Sequence, residues 1–208
     1  MLILDLDDTL FETSSINPQL FHLPLSLIQN YYAANASREL ADKVITELWS
    51  NPLDKVFATY ETPKAIIAEF YQKIGEIDFR QLSIQPFVDY EALRSLPQRK
   101  RLVTTGLKEL QQAKIEALGI ATDFEAVYID DPRLQPRTSK IDIFKAILLE
   151  TQLEPSAIWV IGDNPESEIK AGKTLGMKTV QRVSKSKGNA GLADYVIHSF
   201  EELEGIWE

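Results

Sequence analysis

The chain begins with Leu2-Ile3-Leu4-Asp5-Leu6-Asp7-Asp8-Thr9-Leu10, a short apolar run that ends in three carboxylates and a threonine. Successive side chains of a strand point to opposite faces, so Asp5 and Asp7 are predicted to project to one side and Asp8 to the other. Two adjacent carboxylates stay ionised most easily when a cation lies between them. Hard oxygen ligands without Cys or His nearby favour Mg²⁺ over zinc or copper. The simpler interpretation is a strand followed by a capped polar turn.

Composition limits the class of protein. The chain has 208 residues, of which 44% are hydrophobic and 25% charged, as in an ordinary globular protein with one large domain or one domain carrying an insertion. It has no cysteine, which excludes disulfides, thiolate metal sites and a cysteine nucleophile. The sequence starts directly with a core-like strand and has no long apolar segment, so we expect a cytoplasmic protein without a signal peptide or a membrane span.

The charge balance bears on the partner. A net charge of -9 argues against nucleic acid, because phosphate backbones need clustered Lys and Arg. The basic run Arg99-Lys100-Arg101 precedes an apolar strand and is predicted to be its solvated entrance, and Lys185 and Lys187 are predicted to lie in a polar surface loop. A small phosphorylated ligand remains compatible with an acidic chain, since Mg²⁺ and one or two lysines supply enough local positive charge.

Two parts of the chain show different sequence patterns, and the difference predicts how the chain is organised. From about residue 86 onward, β-branched runs alternate with helical periodicity, which indicates a doubly wound, Rossmann-like parallel α/β sheet. The predicted strands there are 101–104, 126–129, 157–161, 178–180 and 195–197, and the predicted helices are 107–118, 139–151, 165–176 and a short one from 199. Residues 15–85 lack β-rich runs and show only helical patterns, at 20–34, 37–49, 52–60 and 63–74. We therefore predict an α/β core of residues 1–14 and 86–208 and an inserted all-helical segment of residues 15–85.

Three strand ends carry polar groups that suggest chemistry. Ligands of doubly wound sheets bind beyond the carboxyl ends of the strands, where Asp5 and Asp7 are expected. The run Thr104-Thr105-Gly106 follows a second strand and opens a helix whose N–H groups can receive a phosphate. The run from Asp163 to Glu168 follows a third, and Lys140 stands at a helix entrance between them. Taken singly, these are ordinary helix caps and a solvated lysine; their occurrence in order at one sheet edge is not explained that way. A G-x-G-x-x-G motif and a P-loop are absent from the sequence, so nicotinamide and ATP chemistry lose their main support.

The sequence resembles the haloacid dehalogenase superfamily of aspartate-nucleophile hydrolases. Its four motifs are matched, in order, by Asp5, Asp7 and Thr9; by Thr104; by Lys140; and by Gly162, Asp163 and Glu168. The resemblance covers residues 1–14 and about 86–208, and the insertion matches only as a generic helical cap. The family pattern implies that this cap is a lid that sets the substrate.

The resemblance implies a phosphatase mechanism. Asp5 is the implied nucleophile that forms an aspartyl-phosphate, and Asp7 is the implied general acid and base. Because the dehalogenases of the family lack an acid at this second position, Asp7 favours a phosphatase that acts on a small phosphomonoester. Thr104 and Lys140 are expected to stabilise the transferring oxygens, and Thr105 and Gly106 to bind the phosphate.

The resemblance also implies a metal site. Mg²⁺ is expected to be held by Asp5, by the main-chain carbonyl of Asp7 and by Asp163. Glu168 stands where Asp is usual, so it reaches the metal directly, acts through water or only orients Lys140. Lys145, one turn beyond Lys140, is a second candidate for the lysine of the third motif.

Other functions stay open from the sequence alone. A phosphomutase that returns the phosphate to bound substrate could use identical residues, and a silent member of the family could act as a sensor of phosphorylated ligands. A signalling receiver also combines an acidic cluster with Thr and Lys, but receivers are shorter and place the acceptor Asp on a later strand.

Overall fold

The computed structural model describes residues 1–134, 136–183 and 191–206. The chain divides into two compact units, Met1–Ser15 with Ile84–Glu208, and Ile16–Ser83. The loop predicted at Lys185 and Lys187 lies outside the described residues.

The first unit contains a parallel sheet of six strands in the described part of the chain, in the order β3-β2-β1-β4-β5-β6. The strands are β1 (Leu2–Leu4), β2 (Lys100–Thr105), β3 (Ala126–Asp130), β4 (Trp159–Gly162), β5 (Lys178–Arg182) and β6 (Tyr195–Ile197). Every pairing is parallel, which confirms the predicted doubly wound α/β fold. The strand order reverses at β1, so the residues that follow β1, β2 and β4 lie where such sheets bind ligands.

The second unit is helical throughout its described secondary structure. Its α-helices are α1 (His22–Asn35), α2 (Arg38–Ser50), α3 (Leu53–Thr59) and α4 (Lys64–Gly75). Ser37 caps α2 by accepting a 3.0 Å hydrogen bond from the backbone N–H of Leu40. The rings of Phe57 and Phe70 meet edge-on with centroids 5.2 Å apart, and both side chains are buried. Apolar and aromatic packing of this kind stabilises the unit.

In the described part of the first unit, four α-helices accompany the sheet. They are α5 (Tyr90–Arg94), α6 (Lys108–Leu118), α7 (Lys140–Thr151) and α8 (Lys170–Thr174). Gly119 ends α6 in the left-handed conformation with φ of 67°, as predicted from its position after the last apolar residue. A reciprocal capping box of Ser139 and Asp142 begins α7. Among the described residues, no helix is both long enough and apolar enough to cross a membrane.

Two predicted helices differ in type from the expectation. The segment predicted as one helix over 165–176 begins with a π-helical turn, Pro165–Ile169, before α8. The reason is local, because the Glu168 carboxylate folds back to accept a hydrogen bond from the backbone of Asn164 and widens the turn. The last helix, Phe200–Ile206, is a 3₁₀ helix, although Glu202 caps its start as predicted by accepting from the N–H of Ser199.

The sheet is covered by a fully apolar cluster. Ile3, Val103 and Val160 of three neighbouring strands pack with Phe144 and Ile147 of α7, and each of these side chains is at most 1% exposed. Burying a side chain of this size contributes about 1.5–3 kcal/mol. The packing fixes α7 against the centre of the sheet, which places its first residue, Lys140, at the strand ends.

A buried ion pair ties β5 to the segment before α5. The Arg182 guanidinium donates to both carboxylate oxygens of Asp89, at 3.0 and 3.2 Å, and lies 4.2 Å from the ring centres of Phe87 and Phe200. Asp89 also accepts from the backbone N–H of Phe200. Both charged side chains are less than 10% exposed, so each depends on the other for its charge balance.

We expect Arg182→Met to lower the free energy of unfolding by about 3–5 kcal/mol, because it leaves the Asp89 carboxylate buried without its partner. Arg94→Met is the matched control, since the Arg94–Asp123 pair leaves Arg94 44% exposed and its loss should matter far less. Urea unfolding of the two variants measures the difference. Similar losses for both would contradict this assignment.

Candidate active site

Three buried carboxylates meet at the ends of β1 and β4. Leu4 lies opposite Ile161 in the parallel register, and the N–H of Asp5 donates to the Ile161 carbonyl at 3.0 Å. Asp5 and Asp163 therefore leave their strands at the same sheet edge. Oxygens of Asp5, Asp163 and Glu168 all lie within 4.8 Å of one another, and all three residues are buried.

Gly162 makes room for the third carboxylate. A Cβ atom at this position would lie 2.3 Å from the Cγ of Glu168 and 2.4 Å from its Oε1, so a side chain here would displace Glu168. The N–H of Asn164 donates to Oε1 of Glu168 at 2.7 Å, which holds the carboxylate back over the strand end. Gly162 thus provides the space, and the hydrogen bond from Asn164 holds Glu168 in it.

Lys140 connects two of the carboxylates. Its ammonium donates to Oδ1 of Asp5 at 2.7 Å and to Oε2 of Glu168 at 2.8 Å, and the lysine is 7% exposed. Lys145, the other candidate for this role, is 56% exposed and lies 3.9 Å from Asp142 on its own helix. The structure brings Lys140, and not Lys145, to the carboxylate cluster of Asp5, Asp163 and Glu168.

Burial and mutual repulsion shift the ionisation of the cluster. Burial raises the pKa of Asp5 to about 7, with Lys140 opposing the shift and the charge of Glu168 adding to it. Burial, followed by the charges of Glu168 and Asp5, raises the pKa of Asp163 to about 9. Burial alone would lower the pKa of Lys140, but Asp5 and Glu168 together raise it above its ordinary value. The Lys140 ammonium is therefore charged, and both of the groups that raise its pKa are carboxylates of this site.

The cluster fits a divalent cation. Lys140 supplies one positive charge against three buried carboxylates, and the donors are the hard oxygens that cations such as Mg²⁺ prefer. A cation between these oxygens would remove the repulsion that raises the pKa values of Asp5 and Asp163.

The residues at the carboxyl end of β2 and just beyond it contact two different parts of the first unit. Thr104 is fully buried and its hydroxyl lies 2.6 Å from Nε2 of Gln111. Thr105 and Gly106 instead form hydrogen bonds with Asp130, the last residue of β3. The Thr105 hydroxyl donates to Oδ2 of Asp130 at 3.0 Å, and the Gly106 N–H donates to the backbone carbonyl of Asp130 at 3.1 Å. The two predicted phosphate-binding residues are thus held by Asp130.

Asp7 is held by two residues that the sequence reasoning missed. Nζ of Lys114 donates to Oδ1 of Asp7 at 2.6 Å, and Nε2 of Gln111 donates to Oδ2 at 2.7 Å. Asp7 is outside the group of described acidic residues whose side chains could share a metal ion. Gln111 and Lys114 are three residues apart on α6 and lie on the same face as Ile115 and Leu118. A lysine among the apolar positions of a predicted helix is the sequence signal that could have indicated a buried partner.

Thr9, the last residue of the first motif, is fully buried. Its hydroxyl has no hydrogen-bond partner within the part of the chain that the structure describes.

Comparison with known proteins identifies the family. The family model described as "Haloacid dehalogenase-like hydrolase" matches residues 2–181. The match covers most of the chain, which therefore belongs to the haloacid dehalogenase-like hydrolases. The resemblance seen in the four sequence motifs is confirmed.

Two curated relatives are phosphatases by name. A glyceraldehyde 3-phosphate phosphatase of Methanocaldococcus jannaschii is 27% identical over 99% of this chain and 95% of its own length. A phosphoserine phosphatase of Thermus thermophilus is 25% identical over 64% of this chain, and the match spans 55% of that relative's length. Within the family, the chain is therefore similar to proteins named as phosphatases.

Solved structures share the fold. A haloacid dehalogenase-like hydrolase of Streptococcus pneumoniae superposes with a TM-score of 0.69 at 22% identity, covering 100% of this chain and 97% of the other. A phosphatase of the same family from Thermococcus onnurineus gives a TM-score of 0.63 at 20% identity, covering 99% and 96%.

We expect Asp163→Asn to raise the melting temperature of the metal-free protein at pH 8 by at least about 3 °C. The folded state raises the pKa of Asp163 from 3.8 to about 9, so this group costs stability above pH 4, where the unfolded carboxyl ionises. The gain should therefore shrink between pH 8 and pH 5. Adding Mg²⁺ should stabilise the wild type and not the variant.

Thermal unfolding in EDTA and in Mg²⁺ measures both effects. Glu116→Gln, on the exposed face of α6, is the control for replacing a carboxylate with an amide. An unchanged or lower melting temperature for Asp163→Asn in EDTA, or an undiminished response to Mg²⁺, would contradict the account.

Proposed function

We propose that the chain is a Mg²⁺-dependent hydrolase of small phosphomonoesters that acts through an aspartyl-phosphate on Asp5. The observation that carries the proposal is the buried Asp5 carboxylate, bonded to Lys140 at 2.7 Å and grouped with Asp163 and Glu168. Membership of a hydrolase family and the phosphatase names of both curated relatives support it.

The proposed reaction has two displacements at phosphorus. In the first, a carboxylate oxygen of Asp5 forms a bond to phosphorus, the bond from phosphorus to the ester oxygen breaks, and Asp7 gives its proton to the departing oxygen. In the second, the oxygen of a water molecule attacks phosphorus, the bond from phosphorus to the Asp5 oxygen breaks, and Asp7 takes a proton from that water. Inorganic phosphate leaves, and both Asp5 and Asp7 return to their initial states.

Lys140 orients the nucleophile and offsets part of its charge. Mg²⁺, when bound, supplies the charge that lets an anionic carboxylate approach an anionic phosphate. We assign it to Asp5, Asp163 and the main-chain carbonyl of Asp7. Both oxygens of Glu168 already accept hydrogen bonds, from Lys140 and from Asn164, which favours an orienting role for Glu168 over direct ligation.

Thr104 is proposed to bind the transferring phosphoryl oxygens. Its hydroxyl accepts from the Gln111 amide, which leaves the hydroxyl hydrogen for a phosphate oxygen. Thr105 and Gly106 are proposed to contribute by shaping the loop, since the Thr105 hydroxyl and the Gly106 N–H are directed to Asp130.

The proposed substrate is a small phosphorylated metabolite, as in the names of the curated relatives. The domain assignment is likewise a proposal: residues 1–14 and 86–208 carry the chemistry, and the helical segment 15–85 selects the substrate, as the family resemblance implies.

We expect phosphate release from a panel of phosphomonoesters in Mg²⁺, and loss of that release in EDTA. Asp5→Asn should lower release at least about 1,000-fold because it removes the nucleophile. Lys140→Met should also be severely impaired, whereas Lys145→Met is the control outside the cluster.

The same assay of wild type and variants also separates the alternative activities. Release by Asp5→Asn at the wild-type rate would contradict the proposal. Transfer of phosphate between positions of a substrate without release would instead indicate a phosphomutase, and binding without either reaction would indicate a sensor.

A further inference from the structure

We propose that Gln111 and Lys114 are positioning residues that hold the Asp7 carboxylate for proton transfer. The proposal rests on the function proposed above and adds two residues that lie outside the four family motifs. Both residues belong to α6, and both side chains reach Asp7 from a sequence distance of more than 100 residues.

The two donors occupy different oxygens of the same carboxylate. Lys114 donates to Oδ1 at 2.6 Å and Gln111 donates to Oδ2 at 2.7 Å. A carboxylate bonded on both oxygens cannot rotate freely about its Cβ–Cγ bond. Each oxygen keeps a further lone pair, so the carboxyl can still carry the proton that the reaction needs.

The Gln111 amide also links Asp7 to the proposed phosphate-binding hydroxyl. Nε2 of Gln111 lies 2.6 Å from the Thr104 hydroxyl as well as 2.7 Å from Asp7. An amide nitrogen only donates, and the carboxylate only accepts, so the orientation of the amide is fixed by this contact. The distance between the proton-transfer group and the phosphate site is thereby set by one side chain.

Gly106 is part of the same arrangement. A Cβ atom at this position would lie 2.9 Å from Cδ of Gln111 and 3.1 Å from its Oε1. The absence of a side chain at Gly106 allows the Gln111 amide to lie between Thr104 and Asp7.

Burial distinguishes this contact from a surface ion pair. The Lys114 side chain is 7% exposed and that of Asp7 is 28% exposed, so a largely buried ammonium faces a carboxylate that retains access to solvent. Gln111 is 1% exposed. Ordering two long side chains costs conformational entropy. Both are ordered around one carboxylate at the ligand-binding edge of the sheet, as expected for residues that support a functional group.

The test uses leaving groups of different quality. An alkyl phosphate needs a proton on its departing oxygen, whereas 4-nitrophenyl phosphate releases a stable phenolate without one. The value of kcat/KM reports the steps up to loss of that group, so a misplaced Asp7 should affect the alkyl ester selectively.

We expect Lys114→Met to lower kcat/KM at least about tenfold for the alkyl phosphate that the wild type hydrolyses fastest, and less than about threefold for 4-nitrophenyl phosphate. Gln111→Leu should show the same selectivity, and Lys114→Arg should recover part of the loss because it keeps a cationic donor. Lys108→Met and Gln112→Leu change exposed residues of the same helix and should leave both values unchanged.

The outcomes separate this inference from the proposed function. Equal losses on both esters, as general damage to the site would produce, or no loss at all, would overturn the positioning role while the hydrolase stands. A wild type that releases phosphate from neither ester in Mg²⁺ would refute the proposed function, and the positioning role with it. If Lys114→Met does not fold by circular dichroism, Gln111→Leu, which removes no charge, decides the question.

Discussion

The charge balance at Lys140 is the constraint on which the site depends. Three carboxylates are buried at one sheet edge, and Lys140 bonds directly to Asp5 and Glu168. Burial and repulsion raise the pKa values of Asp5 and Asp163, which favours their protonated forms when no cation is bound. A divalent cation among these carboxylates would relieve their repulsion and would attract an anionic substrate.

The fold supplies the geometry for this balance. The central position of β1 between β2 and β4 brings together side chains that are far apart in sequence. Apolar packing of α7 on the sheet places Lys140, and the space above Gly162 admits Glu168. Each element therefore contributes one charged group at a fixed position, which is what a reaction governed by positioning and electrostatics requires.

Much of this could be predicted from the sequence, because strands, helix caps and the motif residues leave local patterns. The strands around Asp5, Thr104 and Asp163 are confirmed as parallel neighbours. The pairing of Asp7 with Lys114 could not be predicted, since periodicity shows that a helix face is buried but not which residue it meets. The engagement of Thr105 by Asp130 depends on which strand lies beside β2, and sequence order alone leaves that open.

Trapping the phosphorylated protein tests whether Asp5 is the nucleophile. The wild type is mixed with a substrate in Mg²⁺, quenched in acid within milliseconds, digested and mapped by mass spectrometry. We expect one phosphorylated peptide, spanning the end of β1, with a hydroxylamine-sensitive acyl phosphate on Asp5 that is absent from Asp5→Asn. Phosphate on another residue, or rapid release of phosphate with no covalent species at any quench time, would contradict it.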